Sequence, residues 1–193
     1  LRVREAENDL PDGGIKILPI ITETAMGTLS TATYSDATPR LSGLTWGAED
    51  LSAAIGARTP RDDSGRYTDV FRFARTMTIL AASAAEVAAI DTVFPNFRDM
   101  AAFETECLEA ERDGFTGKMA IHPAQVPVIN AAFTPSAQAI EHSAAVVAAF
   151  AAAGNPGVVG IDGKMVDRPH LKLAERLLAR AKAAGVYSIH GPE

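Results

Sequence analysis

Short apolar runs alternate with helical stretches along the first two thirds of this 193-residue chain. Two stretches, 70–85 and 96–112, carry apolar side chains at the spacing of one helix face. Four runs around them are strand-like, being apolar and partly β-branched: residues 15–22, 40–47, 87–94 and 117–122. Strands of a parallel sheet are buried on both faces and therefore appear as apolar runs. The alternation predicts an α/β fold built from βα units on a parallel sheet.

The number of these units leaves two architectures open. A closed (β/α)8 barrel needs eight βα units and about 250 residues. If the fold is a barrel, this chain carries roughly its second half, strands 4 or 5 to 8. An open doubly wound sheet fits the length better. Residues 1–6 are interpreted as the remnant of a further strand.

The pattern changes after residue 122. Four elements are predicted beyond it: helices at 123–133 and 137–153, a hairpin over 158–166 with an Asp162-Gly163 turn, and a last helix over 167–184. We therefore expect a sheet domain over 1–135 and a C-terminal appendage over 136–193. The appendage has a small apolar face, which predicts that it docks on a neighbouring subunit as a lid.

Charge and composition argue against several classes of partner. The chain has 18 Lys and Arg against 24 Asp and Glu, a formal net charge of −6, and its basic residues form no cluster. This pattern argues against nucleic acids and anionic membranes as partners. The longest apolar stretch, 144–153, is far shorter than the roughly 20 residues of a membrane-spanning helix. The single cysteine, Cys107, lies on an apolar helix face, which predicts an inert buried thiol. We predict a cytoplasmic protein.

Two carboxylates follow successive strand-like runs. Glu23 comes directly after the run 15–22, and Asp50 follows the run 40–47. The carboxyl ends of parallel strands form the active face of such folds, and neighbouring strands lie roughly 5 Å apart. An all-oxygen ligand set of this kind indicates Mg²⁺. The alternative is that each carboxylate only caps the helix that follows it.

Other polar and small residues lie near these strand ends. Gly47 and Ala48 would let a ligand approach backbone N–H groups closely, although ordinary turn chemistry explains them equally well. Lys118 and His122 flank the end of the fourth run, where a histidine before a proline is commonly structural. Asp167 belongs to a polar cluster in the appendage that a solvated turn and a helix cap also explain.

Four segments resemble motifs of citrate lyase β-subunit-like proteins and malyl-CoA lyases, within the wider HpcH/HpaI aldolase superfamily. Residues 20–27 (IITETAMG) resemble the motif of strand five in that family, and residues 43–51 (GLTWGAEDL) resemble that of strand six. Residues 114–125 (GFTGKMAIHPAQ) resemble the motif of strand eight, and residues 162–170 (DGKMVDRPH) resemble a C-terminal motif. The order and spacing are compatible over nearly the whole chain. The resemblance implies a TIM barrel whose first strands precede Leu1.

The resemblance also implies an activity and a set of site residues. It implies a Mg²⁺-dependent carbon–carbon lyase acting on citryl-, malyl- or citramalyl-CoA types of substrate, with Glu23 and Asp50 as the metal ligands. Asp167 would be an acid/base group supplied by a neighbouring subunit of a homo-oligomer, a trimer or a hexamer.

The remaining roles rest on the chemistry of such a site. Besides Glu23, the backbone of Gly47, Ala48 and Glu49 would bind the carboxylate of a 2-oxo acid, because oriented N–H groups attract anions. Lys118 and His122 would contact the thioester carrier, which is CoA or an acyl carrier protein.

Two other functions stay open from the sequence. One is a class II pyruvate aldolase acting on free aldehydes, against which the appendage with Asp167 speaks. The other is a non-catalytic partner subunit, which the small number of βα units suggests.

Overall fold

The computed structural model describes residues 1–161 and 163–188, so Asp162 of the predicted hairpin turn lies outside the described residues. The chain divides into two compact units, Leu1–Ile129 and a second unit from Asn130 onward. The predicted division after residue 135 lies a few residues beyond this boundary. Apart from two short 3-10 helices at Thr31–Asp36 and Pro123–Gln125, the elements are α1 (Arg2–Glu7), α2 (Ala25–Leu29), β1 (Gly43–Thr45), α3 (Glu49–Ile55), α4 (Asp69–Ala84), β2 (Ala88–Asp91), α5 (Met100–Asp113), β3 (Gly117–Lys118), α6 (Val126–Phe133), α7 (Ala137–Ala152), β4 (Val158–Ile161), β5 (Lys164–Asp167) and α8 (Arg168–Ala183).

The first unit is built on a parallel sheet of order β1-β2-β3. Thr45 pairs with Ile90, and Asp91 pairs with Lys118, so the strands end level with one another. The prediction of parallel βα units is confirmed for these three strands. Their observed lengths are shorter than the predicted runs, and the described residues contain no closed barrel.

The predicted strand over 15–22 is present only as two isolated parallel bridges to the segment that contains β1. Ile17 bridges to Leu41, and Ile20 bridges to Thr45. Pro19 lies between them and has no N–H to donate, which interrupts a regular ladder. Its carbonyl still accepts from the Thr45 N–H at 3.1 Å, so the segment runs along β1.

Close packing of this segment against the sheet requires a glycine in β1. A Cβ on Gly43 would lie 2.9 Å from the Ala88 carbonyl oxygen and 2.9 Å from Leu18 Cδ1. Any larger residue would push apart β1 and its neighbours, so Gly43 sets the spacing of the layer that carries the strand ends.

The two predicted helices of the first unit are confirmed as α4 and α5. The helix α5 begins at Asp99, whose carboxylate accepts from the Ala102 N–H at 3.1 Å, and ends at Gly114 with φ 111°. Its buried face includes Phe103 and Cys107. The prediction of a buried thiol is confirmed, and burial raises the pKa of Cys107 to about 11, which disfavours the reactive thiolate.

The prediction of a strand remnant at residues 1–6 is wrong, because Arg2–Glu7 is the helix α1. The helix is fixed by Glu5, which is only 1% exposed. Its carboxylate accepts two hydrogen bonds from the Arg40 guanidinium, at 2.5 and 2.6 Å, and one from the Ile15 N–H at 2.8 Å. These bonds, the Arg40 bond first, lower the pKa of Glu5 to about 2.

The second unit contains the predicted helices and hairpin, as α7, β4, β5 and α8. The strands β4 and β5 are antiparallel. The buried residues of its core come from both helices and from the hairpin: Val146, Phe150, Val159, Leu171 and Ala174. The prediction that this segment has too small an apolar face to fold on itself is therefore wrong. Over residues 1–161 and 163–188, no helix is both long enough and apolar enough to cross a membrane.

The Glu5–Arg40 pair gives the first prediction. The pKa of Glu5 is below its unfolded value, so the pair stabilises the fold fully above about pH 4.5 and less as the pH falls towards about 2. We expect Glu5→Gln to lower the melting temperature at pH 7 and to flatten its fall between those two pH values. Glu7→Gln, in the exposed pair with Arg4, is the matched control and should behave as the wild type. Equal melting curves for both variants across the pH range would contradict this assignment.

Candidate functional site

A cleft of about 100 Å³ lies at the carboxyl ends of the parallel strands. Its polar end is the turn that follows β1, residues 47–50. The opposite wall is apolar and aromatic, and it comes from the segments after each strand and from the loop before α4: Ile20, Trp46, Tyr67, Val93 and Met119. This is the edge of the sheet at which the sequence predicts the site.

Neither Glu23 nor Asp50 caps a helix, which removes the alternative interpretation of both. The helix α2 is capped by Thr24, whose hydroxyl accepts from the Gly27 N–H at 3.0 Å. The N-cap of α3 is Ala48, and Asp50 lies within the first turn of that helix. Both carboxylates are exposed. Within the described part of the chain, neither forms an ion pair or a side-chain hydrogen bond.

The structure brings the side chains of Glu23 and Asp50 close to the same point above Gly47. A Cβ on Gly47 would lie 3.9 Å from Asp50 Oδ2 and 4.0 Å from Glu23 Cγ. Both side chains therefore border the same small volume, which only the absence of a side chain at Gly47 leaves open. Glu23 itself does not line the cleft, but it approaches the cleft at this glycine.

This arrangement fits a hard divalent cation that keeps part of its water shell. The described residues contain no group of three or more His, Cys, Asp and Glu side chains that could hold a metal. Two carboxylates with space for further oxygen ligands are the kind of site in which Mg²⁺ retains waters or takes substrate oxygens. A zinc site, with nitrogen or sulfur ligands, does not fit.

The backbone N–H groups of Gly47, Ala48 and Glu49, which were predicted to bind a substrate carboxylate, differ in whether they already have a hydrogen-bond partner. The Gly47 N–H already donates to Thr22 Oγ1 at 3.2 Å, so Gly47 contributes space rather than a free donor. Ala48 and Glu49 start α3, and N–H groups at a helix start have no partner within the helix. Both residues line the cleft, so their N–H groups are candidates to bind an anion there.

A buried group of charged side chains lies behind the aromatic wall, and sequence reasoning missed it. The Asp91 carboxylate accepts from Trp46 Nε1 at 2.7 Å and from Lys118 Nζ at 2.9 Å. Lys118 Nζ also donates to Glu106 at 2.8 Å, and Arg75 Nε donates to Asp91 at 3.3 Å. Burial alone would raise the pKa of Asp91, but Lys118 and Arg75 hold it below its usual value. A charged residue inside the apolar run 87–94 was the signal that could have revealed this group.

The two residues predicted to contact a thioester carrier lie in different surroundings. The Lys118 side chain is fully buried and is bound to Asp91 and Glu106, so it is not available at the surface. His122 is exposed, accepts from the Ala124 N–H at 3.1 Å and stacks on Phe97 with ring centroids 4.6 Å apart. Its contacts match the structural interpretation of this turn, and only His122 of the two is accessible to a carrier.

Asp167 lies in the second unit, at the junction of β5 and α8. Nδ1 of His170 lies beside both its carboxylate and its backbone N–H. The hydrogen bond from His170 lowers the pKa of Asp167, so its side chain is an exposed carboxylate at neutral pH.

Comparison with known proteins identifies the family of this chain. The family whose model matches residues 20–186 is described as C–C bond lyases of the TIM-barrel fold. Two curated relatives support the match. The citrate lyase subunit β-like protein of Mycobacterium tuberculosis is 37% identical over 164 residues, which are 85% of this chain and 59% of the relative. The (3S)-malyl-CoA thioesterase of Cereibacter sphaeroides is 36% identical over 167 residues, which are 86% of this chain and 56% of that protein.

A solved structure agrees with this assignment. The chain is similar to the protein CitE of Mycobacterium tuberculosis in complex with magnesium, acetoacetate and coenzyme A, with a TM-score of 0.69 and 36% identity. The match covers 86% of this chain and 60% of that one. The chain therefore belongs to the citrate lyase β-subunit-like family of carbon–carbon bond lyases. It spans a little more than half of the length of these relatives.

The open volume above Gly47 gives the second prediction. We expect Gly47→Ala to weaken Mg²⁺ binding, because the added methyl group would occupy the volume that the side chains of Glu23 and Asp50 border and would lie 3.3 Å from Ile20 Cγ2. Isothermal titration with Mg²⁺ measures the effect, and circular dichroism checks the fold. Gly157→Ala is the control, since a Cβ there meets nothing within 4 Å. Unchanged Mg²⁺ affinity in Gly47→Ala would show that this volume is not the metal site.

Proposed function

We propose that this chain carries the metal-binding part of a Mg²⁺-dependent carbon–carbon lyase. The reaction cleaves or forms a 3-hydroxyacyl thioester of the citryl-, malyl- or citramalyl-CoA type, giving an acyl thioester and a 2-oxo acid. The observation that carries the proposal is the convergence of two unpartnered carboxylates, Glu23 and Asp50, above Gly47. The magnesium, acetoacetate and coenzyme A bound by the similar CitE structure support the same reaction class.

The residues of the cleft have separate tasks in this reaction. Glu23 and Asp50 would hold Mg²⁺, which when bound supplies Lewis-acid polarisation of the hydroxyl or oxo oxygen of the substrate. The N–H groups of Ala48 and Glu49 bind and orient the carboxylate of the oxo acid. The apolar wall of the cleft excludes water from the reacting carbon atoms and faces the uncharged part of the substrate.

Asp167 moves the proton of the reaction. The hydrogen bond from His170 keeps Asp167 ionised at neutral pH, so it can take a proton from the acyl carbon when the carbon–carbon bond forms and pass it to the new hydroxyl oxygen. In the cleavage direction Asp167 takes the proton of the substrate hydroxyl as the carbon–carbon bond breaks, and it then delivers that proton to the enolate carbon of the acyl thioester. We propose that it comes from a neighbouring subunit of a homo-oligomer, a trimer or hexamer, and acts as part of a lid.

The remaining parts of the proposal concern the whole protein. The match to a TIM-barrel family and the parallel strands β1 to β3 support a barrel to which this chain contributes strands of the second half. His122 is the candidate contact for a CoA or acyl carrier thioester. The second unit with Asp167 favours this lyase over a class II pyruvate aldolase acting on free aldehydes, and the pair Glu23 and Asp50 speaks against a non-catalytic partner subunit.

Removal of either metal ligand tests the proposed function. We expect Glu23→Gln and Asp50→Asn to abolish Mg²⁺-dependent cleavage of a CoA thioester and to weaken Mg²⁺ binding in calorimetry, with little change in melting temperature, because both side chains are exposed. Glu104→Gln, exposed on α5, is the matched control. Unchanged Mg²⁺ affinity in both ligand variants would place the metal elsewhere.

Subunit exchange tests the role of Asp167. Glu23→Gln and Asp167→Asn should each be inactive alone. After exchange, about a quarter of sites would pair an intact metal site with an intact Asp167 if that residue acts across a subunit boundary, by symmetry counting. Activity should then return in the mixture. If both variants stay inactive after verified exchange, Asp167 acts within its own subunit or has no part in the reaction.

A further inference from the structure

Residues 59–68, which we call the cleft hairpin, form a tight loop between α3 and α4. Arg61 and Tyr67 face each other as an antiparallel bridge, and the Asp62 N–H donates to the Arg66 carbonyl at 2.9 Å. The Asp62 carboxylate closes the tip by accepting from the hydroxyl of Ser64 at 2.6 Å and from the Arg66 N–H at 3.0 Å. A loop with this many internal bonds moves as one body, so its position depends on its few outside contacts.

Arg61 makes the polar contact that joins the cleft hairpin to the rest of the sheet unit. Its NH2 donates to Glu106 on α5 at 2.8 Å, and its side chain is 25% exposed. Its NH1 donates to the Gly65 carbonyl at 2.8 Å, within the hairpin. The same guanidinium lies 3.7 Å from the centroid of the Tyr67 ring. One side chain therefore binds the hairpin tip, its aromatic residue and α5 together.

These contacts close a ring of side chains behind the cleft. Glu106 is bound to Lys118, Lys118 to Asp91, and Asp91 to Trp46 Nε1. Tyr67 completes the ring by meeting Trp46 edge to face, with centroids 5.0 Å apart. Two members of this ring, Trp46 and Tyr67, form the aromatic wall of the cleft.

We infer that Arg61 is a positioning residue: through its ion pair with Glu106 and its contact with Tyr67, it holds the cleft hairpin as the outer wall of the substrate cleft. The inference rests on the proposed function only in taking this cleft as the substrate site. Tyr67 is suited to be such a wall, because burial first and the nearby Glu106 second raise the pKa of its phenol. The wall therefore stays uncharged beside the acidic residues that line the cleft, Glu49 and Asp50.

The single tryptophan of the chain reports directly on this wall. Arg61→Met keeps the apolar stem of the side chain and removes the guanidinium. We expect the fluorescence emission of Trp46 to shift to longer wavelength and its quenching by acrylamide to increase, because Tyr67 no longer covers it. Arg61→Lys should give intermediate values, since one ammonium group cannot bind Glu106 and Gly65 and also lie flat on Tyr67. Arg72→Met, from an exposed pair with Asp69 on α4, is the matched control and should leave the emission unchanged.

The affinity for oxaloacetate tests whether the wall formed by Trp46 and Tyr67 belongs to the substrate site. We expect the dissociation constant for oxaloacetate in the presence of Mg²⁺ to rise about tenfold in Arg61→Met, which corresponds to ~1.4 kcal/mol. Unchanged quenching in both Arg61 variants, an equal change in Arg72→Met, or increased quenching with unchanged affinity would each overturn the inference. If Arg61→Met does not fold, Arg61→Lys decides by the same measurements. If the wild-type chain binds no oxaloacetate, the proposed function fails, and the quenching comparison alone decides whether Arg61 holds the wall.

Discussion

The buried carboxylate of Asp91 is the constraint on which the cleft of this protein depends. A fully buried carboxylate is tolerated only when charged and polar partners replace its water, and removing one partner of such a group commonly costs about 3–5 kcal/mol. Asp91 has three partners, Trp46 on the segment after β1, Lys118 on β3 and Arg75 on α4. Because these partners come from separate elements, satisfying one charge fixes the strand ends relative to each other.

Five acidic side chains of the first unit differ in their surroundings. Glu5, Asp91 and Glu106 are bound to arginine or lysine, and they stabilise the packing of helices and strands. Glu23 and Asp50 are exposed and lack such partners among the described residues, although they stand close to each other. Glu23 and Asp50 therefore do not stabilise the packing through ion pairs, and in the proposed function they are the groups that hold Mg²⁺.

The sequence predicted the parallel order and both long helices of the first unit because their apolar periodicity is set by burial, which is a local signal. The sequence also predicted that Glu23 and Asp50 lie near each other, because each follows an apolar run and the residues after buried parallel strands meet at one edge of the sheet. It did not predict the partners of Asp91 or Glu106, because ion pairs between distant elements leave no periodic pattern. Residues 1–6 were misassigned because their helix depends on the contact between Glu5 and Arg40, far apart in the chain. Lys118 was predicted to contact the thioester carrier, and only the fold shows that its ammonium group is buried against Asp91 and Glu106.

The second unit changes the argument for catalysis across subunits. A segment without a core would have to dock on a neighbour in order to fold, but this unit has its own core around Phe150 and Leu171. Docking is therefore not required for its stability. The proposal that this unit acts as a lid on a neighbouring subunit depends instead on the carboxylate of Asp167. The carboxylate of Asp167 is exposed and held by His170, at the start of a helix that orders its backbone. An ordered, ionised carboxylate on a separately folded unit can be presented to a site on another surface without a folding cost at the moment of binding, since the unit is already preorganised.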